Sequence, residues 1–103
     1  MPHPKYTFII PLYNRPEEIK ELLESMVIMQ TNVPFETIII EDGSSIPSND
    51  IVLSYQSKLK ISYYTKPNSG PGLSRNYGAK YGLGEYFIFL DSDVVLPINY
   101  LDE

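Results

Sequence analysis

An α/β fold built on a Rossmann-like parallel sheet of about four strands, with helices on both faces, is what this sequence predicts, and three observations predict it. Short β-type runs recur along the chain, at Tyr6–Leu12, Phe35–Ile40, Lys60–Thr65 and Tyr86–Leu90. Helical patterns fill the gaps between them. All the runs but Lys60–Thr65 are almost continuously apolar, as strands covered on both faces of a parallel sheet are. The order βαβαβαβ then calls for crossovers that lay helices on the sheet.

Each element has its own warrant. After Tyr6–Leu12, residues Ile19, Leu22, Leu23, Met26 and Met29 recur every three or four positions, which predicts a helix over Pro16–Gln30. Asn14 followed by Glu17 resembles a capping pair, and Pro16 with two glutamates suits a first turn. Phe35–Ile40 is the second strand. A weaker helix starts at Ser48 or Asn49 and is expected to bury Ile51, Val52, Tyr55 and Leu59. Lys60–Thr65 alternates and is more polar, which marks an edge strand. A third helix begins near Gly70–Pro71, carries Leu73, Tyr77 and Tyr81, and stops at Gly82. Tyr86–Leu90 is the last strand. Sheets of this class usually add another strand or two, so residues 1–103 read as one domain forming a portion of a larger enzyme. The edge left open admits a homodimer.

Composition narrows the function. Hydrophobic residues at 43% and charged residues at 20% are globular proportions and not those of a disordered segment. Thirteen acidic against eight basic residues give a net charge of −5, with no basic stripe to hold nucleic acid or anionic lipid. A phosphorylated ligand can still bind such a chain through a metal cation or helix N-termini. With no cysteine, disulfides, thiolate metal sites and cysteine nucleophiles are excluded. The apolar stretch Phe8–Leu12 is far too short for a signal core or a membrane span. These features lead us to expect a cytoplasmic domain, membrane-peripheral in the full-length protein. His3, the only histidine, sits among prolines at the terminus and is expected to play no chemical part.

Ligands of open α/β sheets bind beyond the carboxyl ends of the strands, where strand order reverses. The polar residues of this chain collect there: Tyr13-Asn14-Arg15, Glu41-Asp42-Gly43-Ser44, Lys66-Pro67-Asn68-Ser69-Gly70 and Asp91-Ser92-Asp93. The opposite edge carries plain connections. Asp91 and Asp93, two residues apart after a buried run, offer hard oxygen ligands suited to Mn²⁺ or Mg²⁺ beside a diphosphate. The plainer alternative is a solvated turn. Asp42 can accept an N–H from a nucleobase edge, with Gly43 permitting close backbone approach or a positive φ; an ordinary Asp-Gly turn is the alternative. Glu41 is expected to face solvent or a neighbouring loop. Tyr13 and Asn14 offer a stacking ring and an amide to the same base, or rim packing and a helix cap. The glycine-containing stretch Asn68–Arg75 enters a helix, and N–H groups such as that of Gly70 can meet a phosphate or sugar hydroxyl, with Arg75 as a charge partner.

Taken in order, Phe8-Ile-Ile-Pro-Leu-Tyr-Asn14, Ile38-Ile-Ile-Glu-Asp-Gly-Ser44, Asn68-Ser-Gly-Pro-Gly-Leu-Ser-Arg-Asn76 and Gly84-Glu-Tyr-Phe-Ile-Phe-Leu-Asp-Ser-Asp93 resemble the N-terminal half of family 2 glycosyltransferases. Together these motifs span almost the whole chain. The resemblance implies an incomplete type A glycosyltransferase fold, a nucleotide-diphospho-sugar donor of UDP or GDP type, and Mn²⁺ or Mg²⁺. It puts Pro11 and Tyr13 at the start of the nucleotide pocket and Asp42 at the base; Asn14, Gly43, Ser44 and Gly70 are expected to bind the nucleotide sugar alongside them. Arg75 falls beside the nucleotide. Asp93 matches the direct metal ligand, and Asp91 the ribose or metal contact. Glu41 in place of a first aspartate, Ile46-Pro47 after the glycine-serine and Val94 in place of a third acid depart from the family pattern without removing a ligand. Inverting members of the family use a carboxylate base further along, which implies a base beyond Glu103, an acceptor glycan or lipid-linked sugar bound there, and little or no turnover by this stretch alone.

Other classes fit less of the chain. A phospho-receiver domain needs an acidic pair where Tyr13-Asn14 stands and an aspartate where Lys66-Pro67-Asn68 stands. A nucleotidyltransferase needs a glycine-rich, basic first loop. A non-catalytic nucleotide-sugar-binding module shares every rim feature and stays open.

Overall fold

A computed structural model describes residues 4–29 and 31–102; His3 and Gln30 lie outside the described residues. The elements run β1 (Tyr6–Leu12), α1 (Pro16–Ile28), β2 (Phe35–Asp42), α2 (Asn49–Tyr55), β3 (Ile61–Lys66), α3 (Pro71–Ala79) and β4 (Tyr86–Phe89), then a 3₁₀ turn at Tyr100–Asp102. All three strand pairings are parallel, in the order β3-β2-β1-β4. The sequence of strands along the sheet therefore reverses between β1 and β4, and that gap is where the first and last rim segments meet.

Alternation along each strand divides the core. Phe8, Ile10 and Leu12 of β1 and Ile39 of β2 pack with Ile19, Leu22, Leu23 and Met26 of α1 and Val52 and Tyr55 of α2. Each fully buried leucine there contributes about 1.5–3 kcal/mol through removal of apolar surface from water. The opposite face presents Ile9, Ile38 and Ile40 to α3, so helices do cover both faces. The register Asp42↔Lys66 ends the β2–β3 ladder, which runs two residues further along β2 than its apolar run. β3 lies at an edge, as its polarity predicts.

Several expectations fail locally. Asn14 is not the cap of α1. Arg15 occupies that position without a side-chain cap bond, and Pro16 opens the helix. Asn14 instead takes a positive φ of 51° and turns its side-chain oxygen across to the loop after β2, where it accepts the N–H of Ile46 and the hydroxyl of Ser45. Two loops that each need donors satisfied hold one another. Leu73 is exposed, and α3 meets the sheet through two small residues one turn apart, Ser74 and Gly78. A Cβ on Gly78 would stand 2.8 Å from Ile9 Cγ2 and 3.3 Å from Ile40 Cγ1, so close helix–sheet approach, not an apolar stripe, sets this contact. α3 also ends at Ala79, short of Gly82. β4 is apolar but not covered on both faces: Phe87 and Phe89 are 39% and 49% exposed, because β4 is the other edge strand and α3 packs on β1 and β2. Among the described residues no helix is long and apolar enough to cross a membrane.

Candidate functional site

A cleft of about 560 Å³ opens at the β1/β4 gap, lined by Pro11, Leu12, Tyr13, Asn14, Arg15, Glu18, Asp42, Asp91, Ser92 and Asp93. Six of the predicted site residues thus share it. The other four, Gly43, Ser44, Gly70 and Arg75, stand just behind, each bonded to or packed against the rim segments around the cleft.

Asp42 is the most constrained acid of the group, at 4% exposure. Its Oδ1 accepts Lys66 Nζ at 2.6 Å and the N–H of Ser69 at 2.9 Å, while Oδ2 accepts the N–H of Gly70 at 2.9 Å. Burial pushes the Asp42 carboxyl up, but the Lys66 ammonium and the two backbone N–H groups outweigh it and hold the carboxyl below its ordinary value. The Gly70 N–H expected to meet a phosphate is therefore already spent on Asp42. Gly43 (φ 64°) allows the tight approach of the β3–α3 loop, since a Cβ there would lie 2.5 Å from the backbone nitrogen of Asn68.

Glu41 corrects another expectation. It does not face solvent; it is 2% exposed on the α1/α2 side, where strand alternation puts it opposite in sense to Asp42. Its carboxylate accepts the Ser48 N–H at 2.7 Å, the Tyr63 hydroxyl at 2.8 Å and the Ser44 hydroxyl. Burial, then the bond to Glu41, raises the Tyr63 phenol far above its usual value. Ser44 in turn accepts the Asn14 N–H at 2.9 Å, so the buried Glu41 fixes the loop carrying Tyr13 and Asn14. Tyr13 stays 50% exposed at the rim, its ring open to a planar ligand.

Asp91 and Asp93 each face an arginine: Arg75 reaches Asp91 at 3.4 Å and Arg15 reaches Asp93 at 3.9 Å. These are exposed contacts, with acid side chains 70% and 54% accessible, and exposed pairs are worth only about 0–1 kcal/mol. The acids are accordingly free to exchange partners. No group of three or more metal-ligating side chains occurs among the described residues. Two hard carboxylates at an open rim nevertheless fit Mg²⁺ or Mn²⁺, which take one or two protein carboxylates and fill the remaining positions with water and phosphate oxygens.

Reading the rim segments alone gave no role to Lys66, Arg15 or Glu18. For Lys66 a signal did exist: a lysine and an aspartate end neighbouring parallel strands, and equal strand ends are brought together by register. Arg15 and Glu18 flank the first turn of α1, and only the helix geometry turns them toward the cleft.

Comparison with known proteins places the chain in a family. The family model described as Glycosyl transferase family 2 matches residues 7–103. An uncharacterized glycosyltransferase of Rickettsia felis is 42% identical over 89 residues, covering 86% of this chain and 15% of that protein. The crystal structure of Staphylococcus aureus TarS 1-349 in complex with UDP-GlcNAc superposes with a TM-score of 0.87 at 34% identity, over 95% of this chain and 29% of that one. TarS is a poly(ribitol-phosphate) beta-N-acetylglucosaminyltransferase. At 20% identity, a mannosyltransferase of Pyrobaculum calidifontis in complex with GDP-Man and Mn²⁺ shares the fold, with a TM-score of 0.81 over 94% of this chain and 30% of that one. The chain spans between 14% and 30% of the length of the first curated relatives it matches. Matched over nearly its whole length, with the type A glycosyltransferase fold, this chain belongs to glycosyl transferase family 2.

Proposed function

We propose that this chain is the donor-binding part of a glycosyltransferase that moves a sugar from a UDP-type nucleotide-diphospho-sugar to an acceptor hydroxyl. The observation that carries this reading is the single cleft in which Tyr13, Asn14 and Asp42 lie together with Asp91 and Asp93. Tyr13 stacks on the base and Asp42 accepts its N–H, which orients the nucleotide across the β1/β4 gap. Asp91 and Asp93 hold a divalent cation, Mn²⁺ or Mg²⁺, which when bound supplies positive charge to the departing diphosphate. Arg75 and Arg15, beside these acids, would supply charged donors to the phosphate oxygens. The UDP preference is supported by TarS, whose structures hold UDP and UDP-GlcNAc at 32% and 34% identity to this chain.

In the same reading the acceptor is a glycan or lipid-linked sugar. Transfer with inversion at the anomeric carbon needs a carboxylate base to take the acceptor's proton. Titration calorimetry with UDP, with and without Mn²⁺, tests the site. UDP binding that strengthens with Mn²⁺, and an Asp93→Ala variant that loses the Mn²⁺ enhancement while keeping its fold, are the expected results. Metal-independent binding identical in both proteins would remove Asp93 from the site.

A further inference from the structure

Lys66 and Asp42 end adjacent parallel strands in register, with side chains only 9% and 5% accessible. The Lys66 ammonium has three protons to donate. All three are used: on Asp42 Oδ1 at 2.6 Å, on the Pro67 carbonyl at 3.0 Å and on the Ser69 hydroxyl. Its ammonium is thereby turned to Asp42 and the loop at Pro67–Ser69, and its route to a ligand runs through Asp42. The carboxylate offers about four lone-pair positions. Lys66 and the Ser69 N–H fill those of Oδ1, the Gly70 N–H takes one of Oδ2, and a single position on Oδ2 is left on a residue that lines the cleft.

We propose that Lys66 is a positioning residue that fixes Asp42 as an acceptor with one open position, and so makes the cleft select a base that presents an N–H there, as the uracil imide does, over one that presents a ring-nitrogen lone pair, as cytosine does. This rests on the reading of Asp42 as the base contact. The selection is electrostatic. A lone pair facing a carboxylate oxygen is repelled, and an aspartate able to rotate could turn away from it. Lys66 closes that escape: its bond to Oδ1 at 2.6 Å, together with the two backbone N–H groups, holds the carboxylate in place.

Calorimetry with UDP and CDP in the presence of Mn²⁺ tests the proposal on the wild-type chain and on Lys66→Met, Lys66→Arg and Asp42→Asn, each checked by circular dichroism. The wild type is expected to favour UDP by about tenfold or more, since a charged hydrogen bond made against one left unmade is worth at least that factor. Lys66→Met should weaken UDP binding about tenfold and bring the two nucleotides within about threefold of each other, while Lys66→Arg restores the preference. A folded Lys66→Met that keeps the wild-type preference overturns the proposal; should that variant fail to fold, Lys66→Gln is judged by the same ratio. A wild-type chain that binds neither nucleotide overturns the underlying reading as well. If Asp42→Asn loses the preference and Lys66→Met retains it, the base contact stands and only the role of Lys66 falls.

Discussion

Neighbouring acids on one strand do unrelated work here because strand alternation sends them to opposite faces. Glu41 is buried among Ser44, Ser48 and Tyr63 and organises the loops; Asp42 is buried on the α3 side and lines the cleft. The sequence shows that the two must diverge, but not which side is wet, because the donors that satisfy Glu41 arrive from as far away as Tyr63. Asp42 was legible as a candidate from its place after Ile38–Ile40, whereas its lysine partner needed the register. Its depressed carboxyl makes a testable demand on acid stability. A carboxylate whose folded pKa lies below the unfolded value, about 3.9, contributes stability that is complete above that value and is lost as pH falls through the lower folded one. Chemical denaturation at stepped pH should show the wild type losing stability as pH drops below about 4. Asp42→Asn, less stable at neutral pH because Lys66 is left unpaired, should have a shallower acid limb. Equal acid limbs would contradict the assignment.

At the scale of elements, periodicity located every helix and strand but misjudged what some of them face. α1 behaves as its spacing predicts, burying Ile19, Leu22, Leu23 and Met26. α3 does not, because its contact with the sheet depends on close approach at Ser74 and Gly78, and small residues carry no hydrophobic signal. That contact matters to the site, since the N-terminal end of α3 delivers the Gly70 N–H to Asp42. Gly78→Val would force side-chain atoms into Ile9 and Ile40 and is expected to destabilise the fold by about 1–3 kcal/mol. Urea unfolding measures this, and a change below about 0.5 kcal/mol would mean that the helix can lift away from the sheet at no cost. β4 shows the converse error. Its apolar run is real, yet an apolar sequence does not say what covers it, and Phe87 and Phe89 remain exposed on the edge strand.

For the molecule as a whole, topology turns a set of scattered motifs into one site. The order β3-β2-β1-β4 puts the loops after β1 and β4 beside one another, although Tyr13 and Asp91 are far apart in sequence. This much was readable, because loops that follow parallel strands must emerge on a single edge. The cleft's own shape and the place of Arg15 in it were not, since they depend on how α1 leaves Pro16 and how the chain after β4 packs back, with the Leu96 N–H donating to Ser25 on α1. The central claim is that one nucleotide diphosphate reaches from Asp42 to the Asp91–Asp93 pair. Titrating the ¹⁵N-labelled chain with UDP and Mg²⁺ while following its amide signals tests this most directly. The account predicts that the signals of Tyr13, Asp42, Asp91 and Asp93 move together along one binding curve; signals of Asp91 and Asp93 that stay still while UDP saturates the chain would contradict it.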